Sequence, residues 1–328
     1  MKKSWWLFYF TLITSTMITI SANNWMNMWI GLEINMMSFI PLILKSPNNS
    51  SSEAAMIYFL TQSMSSMLLL MMVLMSLYKC NLPDKINMLL INISVLIKLG
   101  AAPFHLWMPK MLSKMDWNKC ILLMTWQKIA PMMMMSNLMY NNMIINIAIM
   151  MSVTIGSIGG INQTSLRKLM GYSSINHLGW MLAINKSINL WMIYIMIYSM
   201  LTFLICQMFH KYKIFFINQM SSINMNNMDK INLFLMMMSI GGLPPFLGFL
   251  PKWITIQNLI ETKETFLIIY MIMFSLIPLM FYLRIMTNMF LSFNSSIKWL
   301  IVKNNKMMST MMIIMNLSLP IIMILDVI

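Results

Sequence analysis

Long apolar runs alternate with short polar segments along the chain, and the polar segments carry most of the charges. A run of about 20 apolar residues can cross a bilayer as a helix. The pattern therefore predicts an all-α membrane protein with about eleven transmembrane helices. The predicted spans are Ser4–Ile20, Trp25–Leu44, Ala54–Leu77, Ile86–Trp107, Lys119–Met139, Ile144–Ile161, Leu166–Ile184, Ile188–Phe209, Ile231–Leu259, Phe266–Leu291 and Met307–Leu325.

Two of these spans contain residues that break helices. In VLIKLGAAPFHLWMPK, Lys98 precedes Gly100 and Pro103, and in SIGGLPPFLGFLPKW, Lys252 follows a cluster of glycines and prolines. Both residue types disfavour a continuous helix. Two interrupted apolar segments in matching places of two halves are typical of an inverted-repeat membrane transporter.

Composition narrows the class of protein. With 59% hydrophobic and 9% charged residues among 328, the chain is too apolar for a water-soluble globule. The net charge of +14 does not indicate nucleic-acid binding, because no basic run exceeds two residues. Cys80, Cys120 and Cys206 lack metal-ligand spacing. The 48 methionines occur in runs that point all around a helix, which favours packing over a copper site.

Basic residues in the loops are distributed unequally between the two sides of the predicted bundle. If the spans alternate, one side receives fourteen: Lys2, Lys3, Lys45, Lys110, Lys114, Lys119, Arg167, Lys168, Lys211, Lys213, Lys230, Lys298, Lys303 and Lys306. The other side receives four: Lys79, Lys85, Lys186 and Lys263. This asymmetry is what the positive-inside rule requires. It predicts that the N-terminus faces the positive side and the C-terminus the opposite side.

Five charged residues remain inside spans: Glu33, Lys98, Lys128, Lys252 and Arg284. Each charge at a helix centre costs about 2.5–3.5 kcal/mol on an insertion scale, so such residues indicate a functional site. Arg284 stands near the end of its span, where its long stem reaches the interface. We therefore assign Arg284 a structural role.

The other four charges have alternative explanations. Glu33 is either protonated or paired with Lys98, and the pair is either a structural salt bridge or a relay that passes charge. Lys128, beside a glutamine and near Pro131, is suited to accept and donate protons. Lys252 is either a loop lysine or buried, and the apolar sequence that continues to Leu259 favours burial.

The histidines carry weaker signals. His177, in SSINHLGW, has Ser173, Ser174 and Asn176 beside it, which indicates either a proton relay or a hydrogen bond between helices. His105 follows the first break and is expected to line the same cavity, and His210 is expected at the interface. No metal-ligand set, nucleotide loop, haem pair or flavin signature occurs in the sequence. Gly156 and Gly160 form a GxxxG motif that predicts close helix packing.

At these residues the sequence resembles a known family. The segments GLEINMMSFIPLI, KLGAAPFHLWMP, WQKIAP, SLRKLMGYSSINHLGW and GGLPPFLGFLPKW are similar, in order, to the antiporter-like membrane subunits of mitochondrial NADH:ubiquinone oxidoreductase, respiratory complex I. The resemblance covers about Trp25 to Leu291. The bias toward Met, Ile, Asn and Lys also resembles animal mitochondrial coding.

The resemblance implies an architecture and a site. Residues 1–140 and 141–292 would form two inverted five-helix repeats, each with one broken helix, followed by a C-terminal helix in residues 293–328. The proton path of the family maps by motif onto Glu33, Lys98, Lys128 and Lys252. Lysine at the last position resembles subunits 2 and 5 more than subunit 4. Relative to the fourteen-helix family pattern, the sequence starts at the fourth helix.

The resemblance also implies a function and partners. The chain would be a proton-translocating subunit in the mitochondrial inner membrane that couples electron transfer from NADH to ubiquinone to pumping. It would carry no cofactor, since other subunits hold the NADH, flavin, iron–sulfur clusters and ubiquinone. Its expected partners are chains 4 and 4L, the lateral helix of chain 5, accessory subunits and lipids including cardiolipin. A stand-alone cation/proton antiporter and a purely structural spacer remain alternatives.

Overall fold

The computed structural model describes residues 5–45, 48–78, 83–138, 142–185, 187–222, 225–291 and 306–324. In those ranges the regular structure is helical, with an isolated antiparallel bridge between Ser165 and Phe216. The helices are α1 Trp5–Ser21, α2 Trp25–Ile43, α3 Asn49–Leu77, α4 Asp84–Leu99, α5 Trp107–Leu112, α6 Trp117–Met124, α7 Trp126–Ser136, α8 Asn142–Ile161, α9 Leu166–Ala183, α10 Ile188–Tyr212, α11 Gln219–Ser222, α12 Asn227–Gly241, α13 Phe249–Glu261, α14 Thr265–Leu291, α15 Lys306–Asn316 and α16 Ser318–Ile324.

Each predicted span corresponds to one helix or to two consecutive helices. Five helices, α2, α3, α8, α10 and α14, are each long and apolar enough to cross a membrane. The pairs α6 and α7, α12 and α13, and α15 and α16 divide three further spans, whereas the span Ile86–Trp107 contains α4 and the break and ends at the first residue of α5. Three predicted boundaries, Ser4, Met139 and Leu325, lie outside the described residues. The number of eleven crossings therefore stays a prediction.

Both predicted breaks have the same local structure. α4 is followed by Gly100 at φ 69°, and α12 is followed by Gly242 at φ 82°. The amide after each glycine donates to the carbonyl five residues before it, at 3.1 and 3.3 Å. This is a Schellman motif, in which glycine takes the left-handed conformation that side chains disfavour. The chain resumes helical structure only at α5 and α13.

Carbonyl groups at these breaks also accept hydrogen bonds from side chains. A helix leaves its last carbonyls without partners inside the helix. At the first break, Trp107 Nε1 donates to Ile97 O at 3.2 Å. At the second break, Lys252 Nζ donates to Gly241 O at 2.6 Å. The second break thus holds one of the predicted site residues directly.

The structure splits one span that the sequence analysis predicted as continuous. α6 ends at Met124 and α7 begins at Trp126, with Thr125 at φ −112° and ψ −73° between them. Lys119, which the sequence analysis assigned to a loop end, is buried in the first turn of α6. Its Nζ donates to Ile43 O, at the end of α2, at 2.8 Å. A lysine near a helix C-terminus supplies the donor that the terminal carbonyl requires.

α8 and α9 lie in backbone contact. A Cβ atom on Gly156 would stand 2.5 Å from Asn176 N, and one on Gly179 would stand 2.5 Å from Val153 Cγ2. The second glycine of the predicted GxxxG motif, Gly160, instead faces Phe281 on α14. The close packing predicted from this motif is present, but its two glycines contact different helices.

Candidate functional site

The buried apolar side chains form two large separate clusters, and the chain changes cluster near the middle of several helices. On α9 the first cluster includes Ile175 and the second begins with Leu178. On α2 the change falls between Leu32 and Met36. Polar residues occupy the intervals between the clusters, which we call the polar seam: Glu33 and Asn35 on α2, Gln127 and Lys128 on α7, and Asn176 and His177 on α9.

Glu33 lies at one end of the polar seam. The residue is half-buried on α2, and its Oε1 atom is buried without a hydrogen-bond partner among the described residues. Among the described residues, Glu33 and Lys98 do not form an ion pair within 4 Å. The predicted salt bridge is therefore not present in this structure, and the role of the two residues as a relay stays a prediction.

A small polar cavity joins the first two lysines of the predicted site. Its volume is about 20 Å³. About 10–15 Å³ is enough for one water. The polar side chains that line it are Asn35, Tyr58, Gln62, Lys98, Gln127 and Lys128. The break after α4 and the first turn of α7 thus meet at one cavity with room for a water.

Hydrogen bonds fix the polar wall of this cavity. Tyr58 Oη donates to Gln127 Oε1 at 3.1 Å, and Gln127 Nε2 donates to Asn35 Oδ1 at 3.0 Å. Gln62 Nε2 donates to the backbone oxygen of Lys98 at 3.3 Å. Four helices, α2, α3, α4 and α7, are therefore connected by these hydrogen bonds.

Lys128 is fully enclosed at the centre of the protein, with only 3% of its surface exposed. Its Nζ donates to Ser174 O on α9 at 3.0 Å and lies 5.2 Å from the centre of the Tyr198 ring. A buried ammonium group needs such partners, because the loss of water around a charge is costly. The contacts connect Lys128 to both α9 and α10.

His177 lies between Lys128 and the second break. Its Nδ1 is 2.8 Å from Tyr194 Oη, and its ring centre is 4.9 Å from that of Tyr198. The Tyr198 ring also lies 5.2 Å from Lys128 Nζ, and Trp180, three residues after His177, lies beside Lys252. The predicted hydrogen bond between helices is present, since it joins α9 to α10. A relay role for His177 stays a prediction.

Lys252, on α13, is buried beside α9, with 5% of its surface exposed. Besides its bond to Gly241 O, its Nζ lies 5.7 Å from the centre of the Trp180 ring. Gly242 leaves the space that the ammonium occupies, because a Cβ there would stand 2.6 Å from Nζ. The burial that the sequence predicts for Lys252 is thus found.

His105, His210 and Arg284 lie apart from the polar seam. His105 Nδ1 contacts Pro103 O at 3.1 Å but does not line the cavity where we expected it, and His210 is exposed. Arg284 donates to Ile161 O and, at 2.9 Å, to Gln163 O, which caps α8. Within the described ranges no group of three potential metal ligands occurs. Cys80 lies outside those ranges.

Sequence reasoning missed several residues of the polar seam. Asn35, Gln62, Tyr194 and Tyr198 line it or bond within it. The signal for Asn35 and Gln62 was available, since each is an uncharged polar residue in the middle of an apolar span. The tyrosines gave no such signal, because aromatic residues are common in apolar spans.

Comparison with known sequences identifies similar proteins. Residues 22–278 match the family model described as NADH:quinone oxidoreductase/Mrp antiporter, TM. The chain is 45% identical over 319 residues to NADH-ubiquinone oxidoreductase chain 2 of Anopheles gambiae, covering 94% of this chain and 93% of that one. It is 41% identical over 322 residues to chain 2 of Locusta migratoria, covering 95% and 93%.

Solved structures show the same fold. A chain of respiratory complex I from Thermus thermophilus with bound aureothin superposes with a TM-score of 0.84 at 17% identity, covering 97% of this chain and 78% of that one. A chain of the Mrp complex from Dietzia superposes with a TM-score of 0.77 at 14% identity, covering 87% and 60%. The predicted all-α membrane fold is confirmed, whereas the inverted five-helix repeats stay a prediction.

Proposed function

Because the chain belongs to the family of NADH:quinone oxidoreductase and Mrp antiporter membrane subunits, we propose that it acts as chain 2 of NADH-ubiquinone oxidoreductase. In that role it is a multi-pass subunit of the mitochondrial inner membrane and takes part in the proton-translocating reaction of the complex. It conducts protons through the polar seam and performs no redox chemistry itself. Electron transfer from NADH to ubiquinone takes place in other subunits.

The observation that carries this proposal is the continuity of the polar seam through an otherwise apolar interior. The cavity connects Lys98 to Lys128, and the contacts of Lys128 with α9 and α10 lead to His177. Trp180, three residues after His177 on α9, lies beside Lys252, whose Nζ is 5.7 Å from the centre of the Trp180 ring. A purely structural role does not require such a row of buried cations, because each one is costly to remove from water.

Charge coupling supplies the mechanism. Quinone reduction elsewhere in the complex shifts charge along the membrane arm and changes the interaction between Glu33 and Lys98. The proton affinity of Lys128 responds, and the proton moves through the region of His177 to Lys252. The unpartnered Oε1 of half-buried Glu33 favours a neighbouring chain beside α2, where that chain supplies the charge signal.

The distribution of loop charges supports an orientation. The lysine-rich side faces the matrix, so the N-terminus lies in the matrix and the C-terminus in the intermembrane space. Protons enter from the matrix side and leave past Lys252. Chains 4 and 4L, the lateral helix of chain 5, accessory subunits and cardiolipin are the neighbours that we assign to the outer surface.

The test replaces Lys128 by methionine, which keeps the length of the side chain and removes its charge. The matched control is Lys110→Met, which removes an exposed charge on α5. In the assembled complex reconstituted into vesicles, Lys128→Met should lower the number of protons pumped per NADH oxidised, whereas the control should not. Unchanged proton stoichiometry and turnover in Lys128→Met would contradict the relay.

Two further measurements separate the rival functions. The fold is also that of a chain of the Mrp complex, so a stand-alone antiporter is the first rival. Such a protein would purify alone rather than within a large assembly. A structural spacer would tolerate Glu33→Gln or Lys98→Met without any change in pumping.

A further inference from the structure

A second polar cavity lies beyond the polar seam, at the ends of the helices that form it. Each of α7, α9 and α13 carries one predicted site residue, and each helix then continues to this cavity. Met135, Asn185 and Asn258 line it, seven residues after Lys128, eight after His177 and six after Lys252. At a rise of about 1.5 Å per residue, six to eight residues correspond to roughly 9–12 Å of helix between the backbone positions.

This cavity lies on the side of the protein opposite the lysine-rich loops. It is bounded by the ends of α7, α9 and α13 and by the first turns of α8. The predicted spans that contain these helices all meet the side that receives only four loop lysines. Given the proposed orientation, this side faces the intermembrane space.

The lining of this cavity is polar for so apolar a chain. Five of its residues carry polar side chains: Asn146, Asn185, Asn258, Thr262 and Glu264. Its volume of about 20 Å³ has room for one water. Asn146 Nδ2 donates to Glu264 Oε2 at 3.4 Å, so the carboxylate is held at the rim by the first turns of α8.

One buried group in this cavity points to a ligand that donates hydrogen bonds. Asn185 is 4% exposed, and its Oδ1 is buried without a hydrogen-bond partner in the described part of the chain. Buried amide oxygens are normally satisfied, by protein or by ordered water. Trp180 Nε1, on α9 and beside Lys252, is likewise buried and unpartnered among the described residues. Trp180 thus lies next to Lys252, and Asn185, five residues later, lines the cavity.

We propose that this cavity is the proton exit of the chain, with Glu264 as its terminal proton acceptor. The proton leaves the Lys252 ammonium for water on the route past Trp180 and Asn185. It then protonates the Glu264 carboxylate, which releases it to the outer aqueous phase. Glu264 is suited to this step because it is the titratable side chain in the lining, whereas the amides and the hydroxyl around it only orient water.

This inference rests on the proposed function, and its test keeps the two separate. Three complexes are compared with the unmodified one in vesicles: Glu264→Gln, Glu261→Gln and Lys128→Met. Glu261 is an exposed acid three residues away that does not line the cavity, so Glu261→Gln is a matched change of charge. A fourth variant, Glu264→Asp, keeps the titratable group and controls for loss of packing.

The proposal predicts a definite order among the variants. Glu264→Gln should lower the number of protons pumped per NADH by the same amount as Lys128→Met, while Glu264→Asp and Glu261→Gln should retain pumping. If Lys128→Met fails to pump but Glu264→Gln pumps normally, the relay stands and this exit is wrong. If both variants pump normally, the proposed function is wrong as well.

A second measurement does not depend on turnover. Asn146→Cys places a thiol in the lining of the cavity, and this thiol should react with a membrane-impermeant thiol reagent added from the intermembrane side of the assembled complex. It should react at least ten times more slowly when the reagent is added from the matrix side. Labelling only from the matrix side would overturn the assignment of this cavity as an exit.

Discussion

The sharpest test of the second break is the substitution Gly242→Ala, which adds a single methyl group. Alanine at φ 82° would sit in the left-handed region, which costs roughly 1–2 kcal/mol for a residue with a side chain. Its Cβ would stand 2.6 Å from Lys252 Nζ and 2.8 Å from Cδ and Cε, whereas real Cβ contacts are longer than 3.0 Å. The end of the lysine side chain must therefore move away by about 0.4 Å or more.

That displacement should impair proton transfer more than folding. The clashing atoms belong to a flexible side chain, so α12 and α13 can keep their positions while Nζ loses its 2.6 Å bond to Gly241 O. Misplacing a reacting group by about 1 Å can cost on the order of 100-fold in rate. We expect Gly242→Ala to assemble into the complex and to lose coupled pumping several-fold.

The neighbouring glycine provides the control. A Cβ on Gly241 would meet Tyr282 Cδ2 at 3.6 Å, which is an ordinary contact, and Gly241 lies inside α12. Gly241→Ala should therefore assemble and pump normally. The assay measures assembly on native gels and protons pumped per NADH in vesicles for both variants. Equal pumping by the two would refute the claim that the left-handed glycine exists to seat Lys252.

Two further changes test the framework around the polar seam. Gly248→Ala should prevent assembly, because its Cβ would stand 1.7 Å from the backbone oxygen of Ser239 and neither backbone segment at the break can move away. A normal level of assembled complex on native gels would contradict this packing. Lys119→Met should leave Ile43 O without its donor and cost roughly 1–3 kcal/mol, so the assembled complex should inactivate at a lower temperature, whereas Lys110→Met should show no shift.

The breaks and the lysines were predictable because both depend on local chemistry. Glycine and proline interrupt a helix whatever surrounds them, and a charge inside an apolar span stands out by itself. The same reasoning could not find the interruption at Thr125, where no glycine or proline marks the change of direction. It also failed for Lys119, because the C-terminus of α2 that binds its ammonium lies 76 positions earlier in the chain.

The finer composition of the site required tertiary structure. Tyr194 and Tyr198 contact His177 and Lys128 only because α10 packs beside α9. In the sequence they are two of many aromatic residues in an apolar span. The division of the interior into two apolar clusters could not be predicted from the sequence either. Apolar periodicity gives the buried face of a helix, but not the depth in the bundle at which that face passes from one cluster to the other.

The backbone contact between α8 and α9 limits how this protein can work. Carriers that rock one bundle past another need an interface able to slide, and the close contacts of Gly156 and Gly179 with the facing helix resist sliding. Ser174 and His177 lie on α9, one of these two helices. We therefore expect conduction to proceed by torsional rotation of side chains and reorientation of water, with the helices as a stationary frame.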